Sequence, residues 1–211
     1  MRLTASGINH GFGSHTVLDN VDLEVSQGDS LAIVGPSGSG KTTLLSILGG
    51  LVTPRRGTVR VDGAAPARGL LRDHVAWILQ TANVLPDRTV VDNVALGALS
   101  ERITRAQAED RARQTVATVG LSELHTMPVR LLSGGEVQRV AIARALVGNR
   151  PFVMADEPTG QLDARTSARV MDALFKGVRE RALVVVTHDI ELAAMCQRVL
   201  ELRDGTVHEV T

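Results

Sequence analysis

The sequence predicts an α/β domain interrupted by a helical insertion, and three observations predict it. A glycine-rich run, Gly35–Thr42, stands between a short apolar run and a helical pattern. Short apolar runs recur at Phe152–Ala155 and Ala182–Thr187, as expected of strands buried on both faces. Between the first of these patterns and the last, residues 91–147 read as mostly helical.

In chain order, Val17–Val25 alternates apolar and polar residues, as a half-buried strand does. Gln27-Gly28-Asp29 marks a turn, and Leu31–Val34 is a buried strand. Thr43–Leu48 reads as a helix closed by Gly49-Gly50. Thr58–Val61 and Val75–Leu79 are further strands. Thr104 with Gln107 forms a capping box before a charged, alanine-rich helix to about Val119. Ser133 with Glu136 forms another before Val137–Val147. Ala164–Lys176 reads as a helix ended by Gly177. Val199–Leu202 and Thr206–Val210 flank Asp204-Gly205, a hairpin signal.

The 211 residues fit one domain with a real core. Basic and acidic residues balance at 23 each, so no nucleic-acid partner is expected. No apolar run approaches the roughly 20 residues that span a bilayer, and no signal peptide opens the chain. Membrane contact is therefore expected only through partners. The single cysteine, Cys196, excludes an internal disulfide and reads as a buried thiol in an apolar helical stretch.

Gly35, Pro36, Ser37, Gly38, Ser39, Gly40, Lys41 and Thr42 fit the phosphate-loop pattern at every fixed position. Its glycines let backbone N–H groups turn toward phosphate oxygens, and the following helix start, with Thr43, adds a favourable dipole. Lys41 is placed to reach the β- and γ-phosphates, and Thr42 to bind Mg²⁺. Asp156 ends an apolar strand beside the phosphates, and Glu157 follows it. Adjacent carboxylates can divide the work, one on metal and one on water. Gln80 and His188 also end apolar strands, where ligands gather in open α/β sheets, although either could be solvated there. Ser133–Glu136 can serve as a helix cap, as a second phosphate-binding element, or as both.

These motifs, in this order, resemble those of the ATP-binding subunits of ABC transporters over essentially the whole chain. Gly35–Thr42 matches the Walker A motif, Gln80 the Q-loop glutamine and Leu132–Glu136 the signature. Asp156-Glu157 ends the Walker B strand, Asp163 matches the D-loop aspartate and His188 the switch histidine. The resemblance implies a P-loop NTPase core of mainly parallel sheet flanked by helices, with an N-terminal antiparallel β subdomain and an inserted helical signature subdomain. One domain, 1–211, would divide into a core of about 1–90 and 148–211 and a helical part of about 91–147. It also implies a head-to-tail homodimer holding two ATP molecules, each between Walker A of one subunit and Ser133, Gly134 and Gly135 of the other. Mg²⁺ would be held by Thr42, Gln80 and Asp156. Glu157 would be the general base, with His188 and Gln80 assisting, and Asp163 would signal across the dimer. Phe12 matches the aromatic that stacks on adenine, with core packing as the other reading. Permease subunits would anchor the chain at the cytoplasmic face of the cell membrane.

Three departures stand out: Val137 after the signature, Gln161 in the D-loop, and Phe12 in place of tyrosine. The stretches Asn83–Pro86, Thr89–Val94 and Asp156–Asp163 resemble the branch serving macrolide and peptide exporters, lipoprotein release and cell division. Export or extrusion is the first expectation. A mechanotransmitting ATPase of the cell-division type is the alternative, favoured by Asp87–Val90.

Overall fold

The computed structural model describes residues 1–64, 70–160 and 162–210, so Gln161 lies outside the described residues. In chain order the elements are β1 (Arg2–Phe12), β2 (His15–Ser26), β3 (Ser30–Val34), α1 (Lys41–Leu48), β4 (Arg56–Val61), α2 (Leu70–His74) and β5 (Val75–Ile78). Then come α3 (Val90–Ala95), α4 (Arg105–Thr118), α5 (Gly134–Leu146), β6 (Phe152–Asp156), α6 (Ala164–Gly177), β7 (Ala182–Val186), α7 (Ile190–Ala194), β8 (Arg198–Arg203) and β9 (Thr206–Val210). The chain divides into two compact units. The first is Met1–Trp77, Pro151–Glu157 and Glu180–Thr211; the second is Ile78–Arg150 and Pro158–Arg179.

The first unit is built on strands. One sheet has the order β2-β1-β4 and is antiparallel. The other has the order β5-β6-β7-β3-β8-β9. In it β3 pairs in parallel with β7 and β8, and β6 pairs in parallel with β7. This is the P-loop NTPase-like arrangement with N-terminal antiparallel strands that the sequence led us to expect.

The strand β7 is buried at every position, which explains its unbroken apolar run. Phe152, Met154, Val184, Val186, Ile33 and Leu200 gather in one core with Leu44, Leu45 and Leu48 of α1. The hairpin β8–β9 turns through Asp204 (φ 50°) and Gly205 (φ 81°), both left-handed as a two-residue hairpin requires. The strand β1 is less regular. Its pairing with β2 shifts register between Ala5 and Ile8 and again near His10, with Gly7 at φ 60° and Asn20 at φ 51°. The inward set in β2 accordingly changes phase between Leu18 and Val21.

The helices α3 and α4 of the second unit start at side-chain caps. Thr89 and Asp92 close a capping box at α3, and Thr104 and Gln107 close one at α4. The inward face of α4 is narrow: its buried residues are Ala108, Ala112 and Val116. Arg111 Nη1 also meets Glu101 Oε2 at 2.7 Å. The helix α6 runs through Gly177 to a cap at Val178, one step beyond the expected stop. Asn93 on α3 is fully buried. Its amide accepts from Leu85 N–H at 2.7 Å and donates to Leu85 O at 2.9 Å and Thr89 O at 3.0 Å.

Cys196 stands two residues past α7 and is half-buried. The apolar helical stretch expected around it therefore stops short of the thiol. Burial still pushes its pKa up to about 12. Among the described residues, no helix is long and apolar enough to cross a membrane.

The Asn93 amide fixes the 85–89 turn by adding to bonds already there, since Leu85 O also accepts from Arg88 N–H and Thr89 O from Asn93 N–H, and it is the acceptor for Leu85 N–H. Replacing it with alanine removes that acceptor, and leaving a buried donor unpaired typically costs about 1–3 kcal/mol. Asn93→Ala should therefore lower unfolding free energy by roughly that amount in urea titration. An unchanged midpoint would sink the assignment.

Candidate functional site

The phosphate loop leaves β3 with its backbone pressed onto neighbouring strands. Gly35 has φ 144°, and a Cβ there would fall 2.4 Å from Leu202 O. Gly40 has φ 101°, and a Cβ there would fall 2.4 Å from Val17 Cγ1. Only glycine satisfies both demands, left-handed backbone and absent side chain. Ser39 N–H donates to Pro36 O at 3.2 Å and tightens the turn. The helix α1 then starts after Gly40 with no side-chain cap, so its first N–H groups keep their capacity for a ligand. The Ser39 hydroxyl is buried without a hydrogen-bond partner.

The Lys41 ammonium folds back over the loop. Its Nζ donates to Gly35 O at 2.9 Å and Pro36 O at 2.8 Å. Two carbonyls hold the cation in place without neutralising it. A capless helix start, an orphan hydroxyl and an un-neutralised ammonium together form a fitting cradle for a polyphosphate. Ser37, Gly38 and Thr43 complete this segment.

The first unit also gathers the acidic groups. Thr42 Oγ1–H donates to Asp156 Oδ1 at 3.1 Å, joining the first turn of α1 to the end of β6. A hydroxyl and a carboxylate so placed suit a hard divalent cation. Burial, foremost, pushes the Asp156 carboxyl above its ordinary range; the Glu157 charge adds to this, while Thr42 and Lys41 oppose it. Glu157 takes up φ 46°, unusual for a residue with a side chain. Its N–H continues the strand pairing to Val186 O at 2.9 Å. Its Oε2 lies 2.8 Å from His188 Nδ1 and accepts from His188 N–H at 3.3 Å. The Glu157 side chain is 15% exposed and that of His188 67%, so the carboxylate is sheltered while the imidazole faces outward.

Phe12 is 62% exposed at the end of β1, which excludes the core-packing reading. Its ring meets His10 edge to face, with centroids 5.2 Å apart. The exposed face is free to stack.

The remaining expected residues belong to the second unit. Gln80 is exposed in the segment after β5. Ser133 and Gly134 are exposed and Gly135 is buried at the start of α5. Glu136 Oε2 accepts both Ser133 N–H at 2.8 Å and Ser133 Oγ–H at 2.7 Å. The Ser133 hydroxyl, then its N–H, hold the Glu136 carboxyl below its ordinary range. Because the hydroxyl proton goes to Glu136, the Ser133 oxygen faces a ligand as an acceptor unless that bond breaks. Asp163 caps α6, accepting from Thr166 N–H at 3.1 Å and Thr166 Oγ1–H at 2.6 Å.

Sequence reasoning missed Thr166, whose signal was present as an Asp-x-x-Thr spacing at a helix start. It also missed the grip of α5 on the segment after β5. There Gln138 Nε2 donates to Leu79 O at 3.4 Å, and the Arg144 guanidinium donates to Asn83 O.

A family model described as "ABC transporter" matches residues 18–160. The lipoprotein-releasing system ATP-binding protein LolD of Bacteroides thetaiotaomicron is 38% identical over 211 residues, covering 95% of this chain and 96% of that protein. Two solved structures of the ATP-binding cassette MJ0796 align over 99% of this chain and 98% of theirs. One is a dimeric post-hydrolysis state bound to ADP and Pi, with 32% identity and a TM-score of 0.85. The other is a dimeric structure of this "bacterial ABC transporter cassette", with 33% identity and a TM-score of 0.86.

Because its folded pKa lies above its unfolded one, Asp156 adds stability at acid pH, where it is protonated. That contribution is lost as pH rises from the ordinary carboxylate range through the folded value. Asp156→Asn keeps the acceptor for Thr42 and removes the charge. The nucleotide-free variant should melt higher than wild type at pH 7, with the difference shrinking toward pH 4. Its ATP hydrolysis should fall roughly 100-fold or more. A lower melting temperature at pH 7 would contradict the placement of this charge.

Proposed function

Because this chain belongs to the ABC transporter family and is an ATP-binding and ATP-hydrolysing subunit, we propose that two copies close head to tail around two ATP molecules. Each site would pair the Gly35–Thr42 loop of one subunit with Ser133, Gly134 and Gly135 of its partner. The observation that carries this reading is the pairing of Glu157 with His188 at 2.8 Å, beside Thr42 and Asp156 at 3.1 Å. Asp156 and Glu157 are adjacent at the end of β6, which supports reading one carboxylate as a metal ligand and the other as a base.

In this reading Lys41 draws the β- and γ-phosphates onto the loop, and the N–H groups at the start of α1 donate to their oxygens. Thr42 and Asp156 would hold Mg²⁺, with the Gln80 amide oxygen as a further candidate ligand, and the ion would offset charge on the phosphate oxygens. Glu157 takes the proton from the attacking water. His188 fixes the Glu157 carboxylate through Nδ1 and turns its exposed edge toward the γ-phosphate. The neighbouring subunit contributes the Ser133 hydroxyl, whose proton would pass from Glu136 to a phosphate oxygen as the hydrogen bond is exchanged, together with the N–H groups at the start of α5 and the dipole of that helix. Asp163 reports across the dimer. Phe12 stacks on adenine.

Export or extrusion is the cargo class this reading favours. The support is the LolD relative, whose name assigns it to a lipoprotein-releasing system, and its match along almost the whole chain. The partner would be a membrane permease at the cytoplasmic face. The segment Val84–Pro86 is its proposed seat: Leu85 is 47% exposed, while its backbone is pinned by Asn93. An apolar side chain on a fixed backbone suits a partner helix.

Glu157→Gln should retain ATP binding, reduce turnover by roughly 10²–10⁴-fold and accumulate an ATP-bound dimer on size exclusion with light scattering. Near-wild-type hydrolysis would refute Glu157 as the base, and a monomer at saturating ATP would refute the sandwich. Leu85→Asp should leave the chain's own ATPase intact and abolish transport by the membrane complex. Full transport with that variant would remove this segment from the proposed partner site.

A further inference from the structure

Asp163 and the Ser133–Gly135 turn lie in the same unit, and one residue meets both. Thr166 gives its N–H and Oγ1–H to the two oxygens of Asp163, at 3.1 and 2.6 Å. Its other branch points at α5. A Cβ placed on Gly135 would fall 2.1 Å from Thr166 Cγ2, with Thr166 Cβ at 3.5 Å and Oγ1 at 4.0 Å. That spacing leaves no room for even a methyl group.

A clash with the end of a side chain is usually relieved by turning that side chain. Here rotation about χ1 of Thr166 would carry Oγ1 away from Asp163, and a β-branched residue in a helix has few alternative rotamers. The contact to Gly135 and the bond to Asp163 therefore share one torsion. Backbone conformation does not explain the glycine, because Gly135 is not among the positive-φ residues. The adjacent glycine differs. A Cβ on Gly134 would meet only Leu162 Cδ2, at 3.9 Å, an ordinary contact.

We propose that Thr166 is a positioning residue that clamps the Ser133–Gly135 turn to Asp163, making these two elements one rigid piece. Residue 135 is glycine because Thr166 stands against it, and Thr166 cannot turn because Asp163 holds it. The proposal rests on the reading above, in which both elements act at the partner's ATP. Its consequence is that Asp163 and the phosphate-facing N–H groups of the turn move together.

A rescue experiment separates this clamp from a need for glycine at the ATP itself. In the Glu157→Gln background, Gly135→Ala should weaken ATP-dependent dimerisation by roughly tenfold or more. Adding Thr166→Ser deletes Cγ2 and keeps the hydroxyl on Asp163, so dimerisation should return to within roughly threefold of the parent. Adding Thr166→Val instead keeps both branches but breaks the hydroxyl bond to Asp163, so the link between the turn and Asp163 stays lost and dimerisation should not return even if the side chain turns. Thermal melts of all variants, and steady-state ATPase of the same set with Glu157 intact, read the same order independently. If Gly135→Ala alone impairs folding, Thr166→Ser should restore the melt as well. The clamp is overturned if Gly135→Ala behaves as wild type, if serine gives no rescue in any readout, or if valine rescues as well as serine. Failure of the Glu157→Gln parent to dimerise would count against the sandwich, while the ATPase and melting series would still decide the clamp.

Discussion

The phosphate loop can follow its path only where two side chains are missing. Positions 35 and 40 bring its backbone against Leu202 and Val17 at distances that a Cβ would violate. That closeness lays the loop across the end of β3, itself central in the parallel sheet. From there Lys41 can fold back on the loop carbonyls, and Thr42 can reach the end of β6. The same sheet sets β6 beside β7, so Glu157 and His188 emerge from neighbouring strand ends and meet. The chemistry of the first unit thus depends on backbone packing before it depends on any charged group.

Much of this was legible in the residues. The strand–loop–helix around Lys41 could be read because buried parallel strands are uniformly apolar and phosphate loops are rich in glycine. The Asp204-Gly205 turn announced its hairpin because few other residues accept two left-handed positions. The register shifts of β1 were harder to read. Bulges near Gly7 and His10 break the alternation that marks a strand. The box at Thr89 and Asp92 escaped notice because α3 is only 6 residues long, too short to show a helical period. Cys196 was misplaced because apolar composition extends beyond the last turn of α7. Thr166 was missed for a different reason: its spacing marks a cap, but its second contact comes from a helix far away in sequence.

The two halves of the proposed ATP site solve the same electrostatic problem differently. At α1 the helix start lacks a side-chain cap, and a lysine stands over it. At α5 Ser133 and Glu136 form a capping box, which takes up part of the helix start. A helix terminus thus keeps N–H groups for a ligand in both places, without any side-chain cap at α1 and beside the box at α5. Such capacity has a cost in an isolated chain, and a bound phosphate offsets it. The site is therefore better suited to its ligand than to standing empty, as binding-coupled assembly requires.

The narrow inner face of α4 has a consequence for dynamics. Two alanines and a valine bury little apolar surface compared with the leucine-rich face of α1. At about 25 cal/mol per Å², such a face contributes only a small part of what a leucine face supplies. The Arg111–Glu101 ion pair, with both side chains partly exposed, adds little. In amide hydrogen exchange α4 should therefore open well below the free energy of global unfolding. The strands around β3 should exchange only when their whole unit unfolds. The slowest protons are accordingly expected in the sheet that carries the phosphate loop, and faster ones along α4.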